Sequence, residues 1–398
     1  GYYRVNVVRQ GDLPKDQKWI NFIFNTEEIL EEIRKKTIKM GELFEPSYGN
    51  ATYLYLASRR KVKGPRNLGT KDFFYFNEDK VKEWGVRDFV YPALTSSRYA
   101  PYFTFTDEDW RKLRDRGANC YFFMCHKPKN ELPKQALDYI RWGETECRTL
   151  IRRTRGGGKI CSEALACQER EKQKQYFYGW YDLGGVTDAP ILAVYQAQYK
   201  TRFIWNLKKA VTYHAMIAFI PKENIQLNEM QIKALLAYLN SSFTQLYIES
   251  ESRITGLGVA ALEVNKAEEM PILDIFNLKE ESLKSLANLF DKLDKEARKI
   301  GGADKKENIM KLWDSVIAEI DEKIAEILNL PEYLPEAART LAKTMMERRL
   351  ARTKQPQPTA IKGATEMLQI KQQKKGKRRR KSSEQTTKQT TRLDNFMQ

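Results

Sequence analysis

Four basic residues, Arg152, Arg153, Arg155 and Lys159, surround the run Gly156-Gly157-Gly158. Glycine lets a backbone approach a ligand closely. Guanidinium groups make bidentate contacts to phosphate oxygens. The combination predicts contact with a nucleic-acid backbone. A second cluster interleaves cations with aromatic rings: Lys200 and Arg202 lie beside Tyr199, Phe203 and Trp205, and Lys208 and Lys209 follow. Mixed basic and aromatic strands suit backbone contact and base reading. The same pattern also describes a solvated sheet edge guarded by Lys and Arg.

Other chemistries find little support. His126 and His214 are the only histidines, too few for a multi-His metal centre or a His-based triad. Cys120, Cys125, Cys147, Cys161 and Cys167 are sparse and odd in number, which fits free, mostly buried thiols in a reducing, cytoplasmic setting. Their spacings lack the paired C-x2-C knuckles of a zinc site, so no metal is expected. Gly256-Leu-Gly258-Val-Ala-Ala261 matches the dinucleotide-binding pattern in letters. That pattern needs a strand before it and a helix after it; here Leu262-Glu-Val264 looks like a strand, with no long helix following. Glu45-Pro-Ser-Tyr48 echoes the Asn/Asp-Pro-Pro-aromatic loop of amino-methyltransferases, but its first and third positions depart, leaving an ordinary turn.

The elements that would position these residues are mixed. Helices are expected over 27–40 with Thr26 as N-cap, over 107–114 capped by Thr106, and over 136–155 up to the Gly run. Asn228 should cap a helix running to Leu239, with a second helix over 243–252. Strands are expected over 3–8, 19–24, 53–56, 73–76, 121–124, 175–181, 191–195, 202–205 and 215–220. From Asn277 two apolar stripes follow. Leu283, Leu286, Leu289, Phe290 and Leu293 form one; Ile309, Leu312, Val316, Ile317, Ile320, Ile324, Ile327 and Leu328 form the other. They predict an antiparallel helical hairpin broken at Gly301-Gly302. The fold class is therefore α+β: a mixed α/β domain, then the hairpin, then a basic tail. The expected boundaries are 1–24 (end of a preceding domain, or linker), 25–275, 276–350 and 351–398.

The chain has 398 residues, 41% hydrophobic, and carries a formal charge of +17. No run of about 18 apolar residues exists, so no membrane span is expected. The first residue is Gly1, which fits a processed chain or a piece of a longer one. The segment 341–381 holds fourteen Lys/Arg against two acids, +12 of the total, leaving +5 for residues 1–340. The charge is mainly a tail property. Beyond about Leu350 the composition turns to Lys, Gln, Thr and Pro, which cannot bury a core.

The segment Gln231-Ile-Lys-Ala-Leu-Leu-Ala-Tyr-Leu-Asn240-Ser-Ser-Phe resembles the leucine-rich helix and Leu-Asn-Ser-Ser corner of DNA target-recognition domains. These belong to N6-adenine DNA methyltransferases of the TaqI/Eco57I type and, in related form, to type I specificity subunits. The match runs on through Glu249, Arg253, Gly256-x-Gly258-x-x-Ala261-Leu-Glu-Val264 and Met270-Pro-Ile-Leu273. Upstream, Pro92-Ala-Leu94, Glu131-Leu-Pro133-Lys, Tyr139-Ile-Arg-Trp-Gly-Glu144, Trp180-Tyr181, Pro190-Ile-Leu192 and His214 through Lys222 fall in the family's order. The resemblance covers about residues 1–275. It implies the recognition half of a parent enzyme that uses S-adenosylmethionine to methylate adenine N6, with Arg253 among the DNA-binding residues. Catalytic loop and cofactor motifs are missing, so this chain alone should bind no cofactor and transfer no methyl group. Implied partners are double-stranded DNA and a methyltransferase catalytic domain on the same or a separate chain. The alternative is the specificity part of a restriction–modification enzyme, type IIG or type I-like, without catalysis of its own.

The tail has two parts. Lys374, Lys375, Lys377, Arg378, Arg379, Arg380 and Lys381 form a basic run that could track phosphates or merely solubilise. Gln389-Thr390-Thr-Arg-Leu393-Asp-Asn-Phe396-Met397 resembles the PIP box that docks on the PCNA sliding clamp. Leu393 and Phe396 keep the i, i+3 spacing of a plug on one 3₁₀ turn. Thr390 stands where Gln is usual, Gln389 comes one residue early, and Met397 replaces the second aromatic. Clamp binding and the Lys/Glu-rich composition would suit an archaeal, nucleoid-associated protein.

Overall fold

A computed structural model describes residues 21, 24, 26–49, 71–148, 160–212, 216–255 and 258–351. The chain divides into two compact units, Gly1–Leu350 and Ala351–Gln398, and all but Ala351 of the second lies outside the described residues. The first unit opens with α1 (Thr26–Arg34), β1 (Ile38–Lys39), α2 (Met40–Leu43) and β2 (Phe44–Ser47). Then come α3 (Lys71–Phe74), β3 (Tyr75–Phe76), α4 (Glu78–Trp84), β4 (Val90–Leu94), α5 (Asp107–Asp115), β5 (Tyr121–Phe123), α6 (Lys134–Thr145) and α7 (Leu165–Lys172). Strands β6 (Ile191–Val194), β7 (Gln196–Ala197), β8 (Phe203–Trp205), β9 (Val211–Thr212) and β10 (Met216–Pro221) follow, then α8 (Glu229–Leu239) and α9 (Ser242–Glu251). The unit ends with β11 (Arg253–Ile254), β12 (Ala260–Ala261), α10 (Val264–Glu268), β13 (Pro271–Ile272), α11 (Glu280–Lys299), α12 (Lys306–Trp313), α13 (Val316–Leu328) and α14 (Leu334–Ala351). The fold is α+β, with small sheets ordered β2-β10-β6-β8, β3-β5-β4-β9, β11-β12-β7 and β1-β13.

One sheet divides two cores. On β6, Ile191 and Ala193 enter the core built with α8, α9 and α11–α14, while Leu192 and Val194 enter an aromatic core formed by residues 73–218. Strand β10 alternates the same way, Ile217 and Phe219 against Met216 and Ala218. Side chains of a strand alternate between its faces. A sheet covered on both faces therefore reads as a continuous apolar run, such as Ile191-Leu-Ala-Val194.

Local signals account for several helices. Thr106 caps α5 in a capping box with Asp109, and Asn228 caps α8 in one with Gln231. In α11 the stripe Leu283, Leu286, Phe290, Leu293 and Ala297 is buried against α8 and α13. Its first turn holds Glu280 and Glu281 and its last Arg298 and Lys299, matching the helix dipole. Gly301 (φ +81°) and Gly302 (φ +112°) adopt backbone that favours glycine, ending the helix.

Several expectations are corrected. Thr26 is the buried first residue of α1 and its hydroxyl has no partner, so it does not cap the helix. That helix stops at Arg34 because Ile38 and Lys39 pair with Ile272 and Pro271. Asn21 and Phe24, expected in a strand, are helical. Phe73 and Phe74 are helical because their rings pack into the aromatic core; Phe73 stacks on Tyr139 at 4.7 Å. Residues 175–181 form turns, held where the Asp182 carboxylate accepts from Tyr178 N (2.9 Å) and Gly184 N (2.7 Å). Glu45-Pro-Ser belongs to β2, paired with β10, rather than to a turn. The strand after Gly258 is Ala260–Ala261, and Val264 starts the short helix α10. The apolar stripes after Asn277 build three helices, not two, because Ser315 separates α12 from α13, and a fourth helix, α14, follows them. Helix α6 ends at Thr145. The strands expected at 3–8 and 53–56 lie outside the described residues.

Candidate nucleic-acid interface

The Asn240-Ser241-Ser242 corner between α8 and α9 organises the segment that carries Lys200 and Arg202. The Asn240 amide accepts from Phe203 N (3.0 Å) and donates to Phe203 O (2.9 Å), as a neighbouring strand would. Ser241 caps α9 by accepting from Thr244 N. Ser242 donates through both N (2.7 Å) and Oγ (2.6 Å) to Asp321 of α13, and its Oγ accepts from Trp313 Nε1 (2.8 Å). Burial pushes the Asp321 carboxyl up to about 7, against the pull of Ser242 and Arg339.

Helix α9 also supplies Gln245, which accepts from Thr201 N (2.9 Å) and donates to Glu249 (2.9 Å). Glu249 in turn forms a bidentate pair with Arg349 of α14 (2.7 and 2.9 Å), both groups almost fully buried. The Arg349 guanidinium donates onward to the carbonyls of Gln198 (2.9 Å), Tyr199 (3.2 Å) and Gly258 (2.5 Å). Gln198 O, Tyr199 O, Thr201 N and both main-chain groups of Phe203 are thus held by the side chains of Arg349, Gln245 and Asn240, which makes the segment a fixed wall.

Lys200 and Arg202 line the inner side of that wall, 4% and 5% exposed. Lys200 Nζ donates to Ser241 O (3.2 Å) and Arg202 Nη1 to Pro101 O (3.0 Å). Neither forms an ion pair among the described residues. Burial lowers Lys200 to about 7 and Arg202 to about 10, outweighing the attraction of Asp321 and Asp304 respectively. Both border a cleft of about 230 Å³, together with Arg98, Gln196, Gln198 and Asp304. The expected interleaving of cations and rings on an open strand is therefore replaced by two cations set behind the edge of β7.

Arg253 lies on the same small sheet. Its register partner is Ala261, whose other partner is Gln196, so Arg253 and Gln196 share one row and one exposed face. Arg253 donates to Glu263 (2.7 Å), which also accepts from Tyr48 (2.5 Å). Lys208 and Lys209 lie elsewhere, each on a carboxylate: Lys208 on Asp107, with its ammonium 4.4 Å above the Trp110 ring, and Lys209 on Asp188 (2.9 Å).

Arg152, Arg153, Arg155, Lys159 and the Gly run lie outside the described residues, as do 374–381 and 389–397. The ends of the Gly-run segment are described: Arg148 and Ile160 form an antiparallel bridge, and Cys147 and Cys161 are joined by a disulfide across a Cα separation of 5.4 Å. Five free thiols were expected; Cys120, Cys125 and Cys167 are free and buried, while Cys147 and Cys161 are paired because that bridge brings them together. Beside Ser162 opens a second cleft, about 590 Å³, bordered by Lys129, Glu171, Tyr178 and Trp180. Exposed Tyr176 is close by in sequence.

Sequence reasoning missed Arg98, Gln245, Asp321 and Arg349. No local spacing marks them; Gln245, Asp321 and Arg349 each work through a partner at least 40 residues away, and Arg98 is brought to the cleft only by the fold. Among the described residues no group of three or more His, Cys, Asp or Glu could hold a metal, and no helix is long and apolar enough to cross a membrane. Nor do these elements fit S-adenosylmethionine. Around the Gly258 segment, β12 has two residues and α10 five, and β4–β9 is the sole parallel pair among the described strands. A doubly wound nucleotide site needs more of both.

Comparison with known proteins agrees with the sequence resemblance. Type II methyltransferase M.AccI of Acinetobacter calcoaceticus is 25% identical over 227 residues, which cover 56% of this chain and 37% of that protein. The chain thus spans little more than a third of this curated relative. The solved structure of the type IIG restriction endonuclease BpuSI matches with a TM-score of 0.45 at 13% identity, covering 84% of this chain and 34% of that one. The model of the C-terminal domain of type II methyltransferase M.Eco57I matches residues 67–151 and 162–318, more than half of the chain. The chain belongs to the family of M.Eco57I-type methyltransferase C-terminal domains.

Proposed function

We propose that this chain is the DNA target-recognition part of an S-adenosylmethionine-dependent N6-adenine methyltransferase, and that methyl transfer belongs to a catalytic domain outside it. The family match over 67–151 and 162–318 is the observation that carries this reading. The wall at 198–203 supports it, because it fixes two cations at the edge of a sheet that also bears Arg253. In this reading Arg152, Arg153, Arg155 and Lys159 contact phosphates on one side. Lys200, Arg202 and Arg253 act at the β7 edge, and Lys208 and Lys209 add weak, screened attraction. The basic run 374–381 holds DNA loosely, and Gln389, Thr390, Leu393, Phe396 and Met397 dock on PCNA.

The test is a pair of assays on the full chain. Duplex DNA should bind with an affinity that falls steeply as salt rises, while labelled S-adenosylmethionine should transfer no methyl group to that DNA. Absent duplex binding, or methyl transfer by the chain alone, would overturn the reading. For the tail, Leu393→Ala with Phe396→Ala should abolish PCNA capture; capture that persists would reject the motif.

A further inference from the structure

We propose that the cleft bordered by β7, the 198–202 segment, Arg98 and Asp304 is a subsite for one phosphate group, filled by a DNA backbone phosphodiester. The inference rests on the DNA-recognition reading above and gives it a specific contact.

The chemistry of the walls carries the argument. An ammonium and a guanidinium lie behind the surface, yet neither meets a carboxylate in an ion pair among the described residues. Buried charges are ordinarily paired, because desolvation is costly. Of the Arg202 donors, Nη1 has a carbonyl; Nε and Nη2 have no acceptor among the described residues, yet are not among the sealed, unpartnered atoms. The cleft is the space they border.

Charge and rigidity point the same way. The lining holds the guanidinium groups of Arg98 and Arg202 and the amine of Lys200 against one carboxylate, Asp304. The Gln198 and Tyr199 carbonyls, which would repel an anion, are already engaged by Arg349. The Thr201 amide is engaged by Gln245, so the wall does not need to rearrange when an anion enters. About 230 Å³ accommodates a tetrahedral phosphate with some of its water. Exposed Gln196 and Gln198 at the mouth offer neutral donors to the same strand of DNA. The fork of Arg202 suits two phosphate oxygens, while Lys200 Nζ stays on Ser241 O, 5.7 Å from the centre of the buried Trp313 ring.

The experiment is a salt titration of duplex binding by the full chain, comparing wild type with Arg98→Gln, Arg202→Met and, as a charge-matched control on α11, Lys292→Gln. Arg98 is exposed, so its variant keeps the fold even if Arg202→Met does not. Arg202→Met should lower the slope of log affinity against log salt by about one and weaken all duplexes alike. Arg98→Gln should lower it by a smaller amount, and Lys292→Gln should leave it unchanged. A second arm measures the unfolding midpoint in inorganic phosphate, which should rise for wild type and rise less for Arg98→Gln. If duplex binds but the slope is the same in wild type and Arg98→Gln, the subsite is overturned while DNA recognition stands. If no duplex binds and phosphate still raises the midpoint in an Arg98-dependent way, the cleft is a free-anion site and the DNA source is overturned. If neither duplex nor phosphate acts, both fall.

Discussion

Two basic pairs lie within ten residues of each other and look alike in sequence, yet the fold treats them oppositely. Lys208 and Lys209 face carboxylates, Asp107 and Asp188, and Lys209 is largely exposed. Lys200 and Arg202 are buried, bonded to carbonyls and left without an ion pair among the described residues. The difference lies in what the backbone between them needs. After Trp205 the chain turns at Lys209 with φ +52°, and its side chain swings into solvent. Before Phe203 the chain is clamped by Asn240, Gln245 and Arg349, and its side chains turn inward. An exposed, already paired lysine adds little to binding. A buried basic group bonded only to carbonyls keeps its charge unneutralised by any carboxylate at contact distance.

Removing the clamp should erase the distinction at the greatest cost. Arg349→Ala strands the buried Glu249 carboxylate and frees three carbonyls, so urea unfolding should reveal a loss of about 3–5 kcal/mol. A loss below about 1 kcal/mol would mean the wall stands without α14. Asn240→Ala orphans Phe203 N and O and should cost about 2–3 kcal/mol, with weaker duplex binding as the wall loosens.

The next effect is read through pH. Burial lowers Lys200 to about 7 in the folded chain, while its unfolded value is the ordinary 10.5. Between those values the unfolded chain binds the extra proton, so wild-type stability should rise as pH goes from 7 toward 10. Lys200→Met should flatten that rise in a denaturation series; an unaltered pH profile would place the ammonium in water instead. The smallest effect belongs to the other pair. Lys209→Gly suits the positive φ and removes an exposed pair, so the midpoint of unfolding should stay within about 0.5 kcal/mol of wild type.

How much of this was legible in the chain follows the range of each interaction. Thr106 and Asn228 announced α5 and α8 because a cap and its helix lie within one turn. The runs at 191–194, 203–205 and 216–221 announced strands, being apolar and β-branched or aromatic. The Leu-Asn-Ser-Ser corner was recognisable as a motif, but its task was not, since Asp321 and Trp313 reach it from 70 residues or more away. The basic–aromatic strand misled for the same reason: residue types alone suggested an open face, and tertiary clamps decided which side Lys200 and Arg202 faced. Turns at 175–181 were missed because Asp182 gathers them through its side chain, a competition with strand pairing that alternation does not record.

The central claim is sequence-selective recognition of duplex DNA, and selection from a random duplex pool tests it most directly. The full chain would be captured with its bound DNA over successive rounds at physiological salt and the recovered duplexes sequenced. The account predicts enrichment of one short motif, with Arg349→Ala losing that enrichment. A recovered pool as random as the starting one would contradict it.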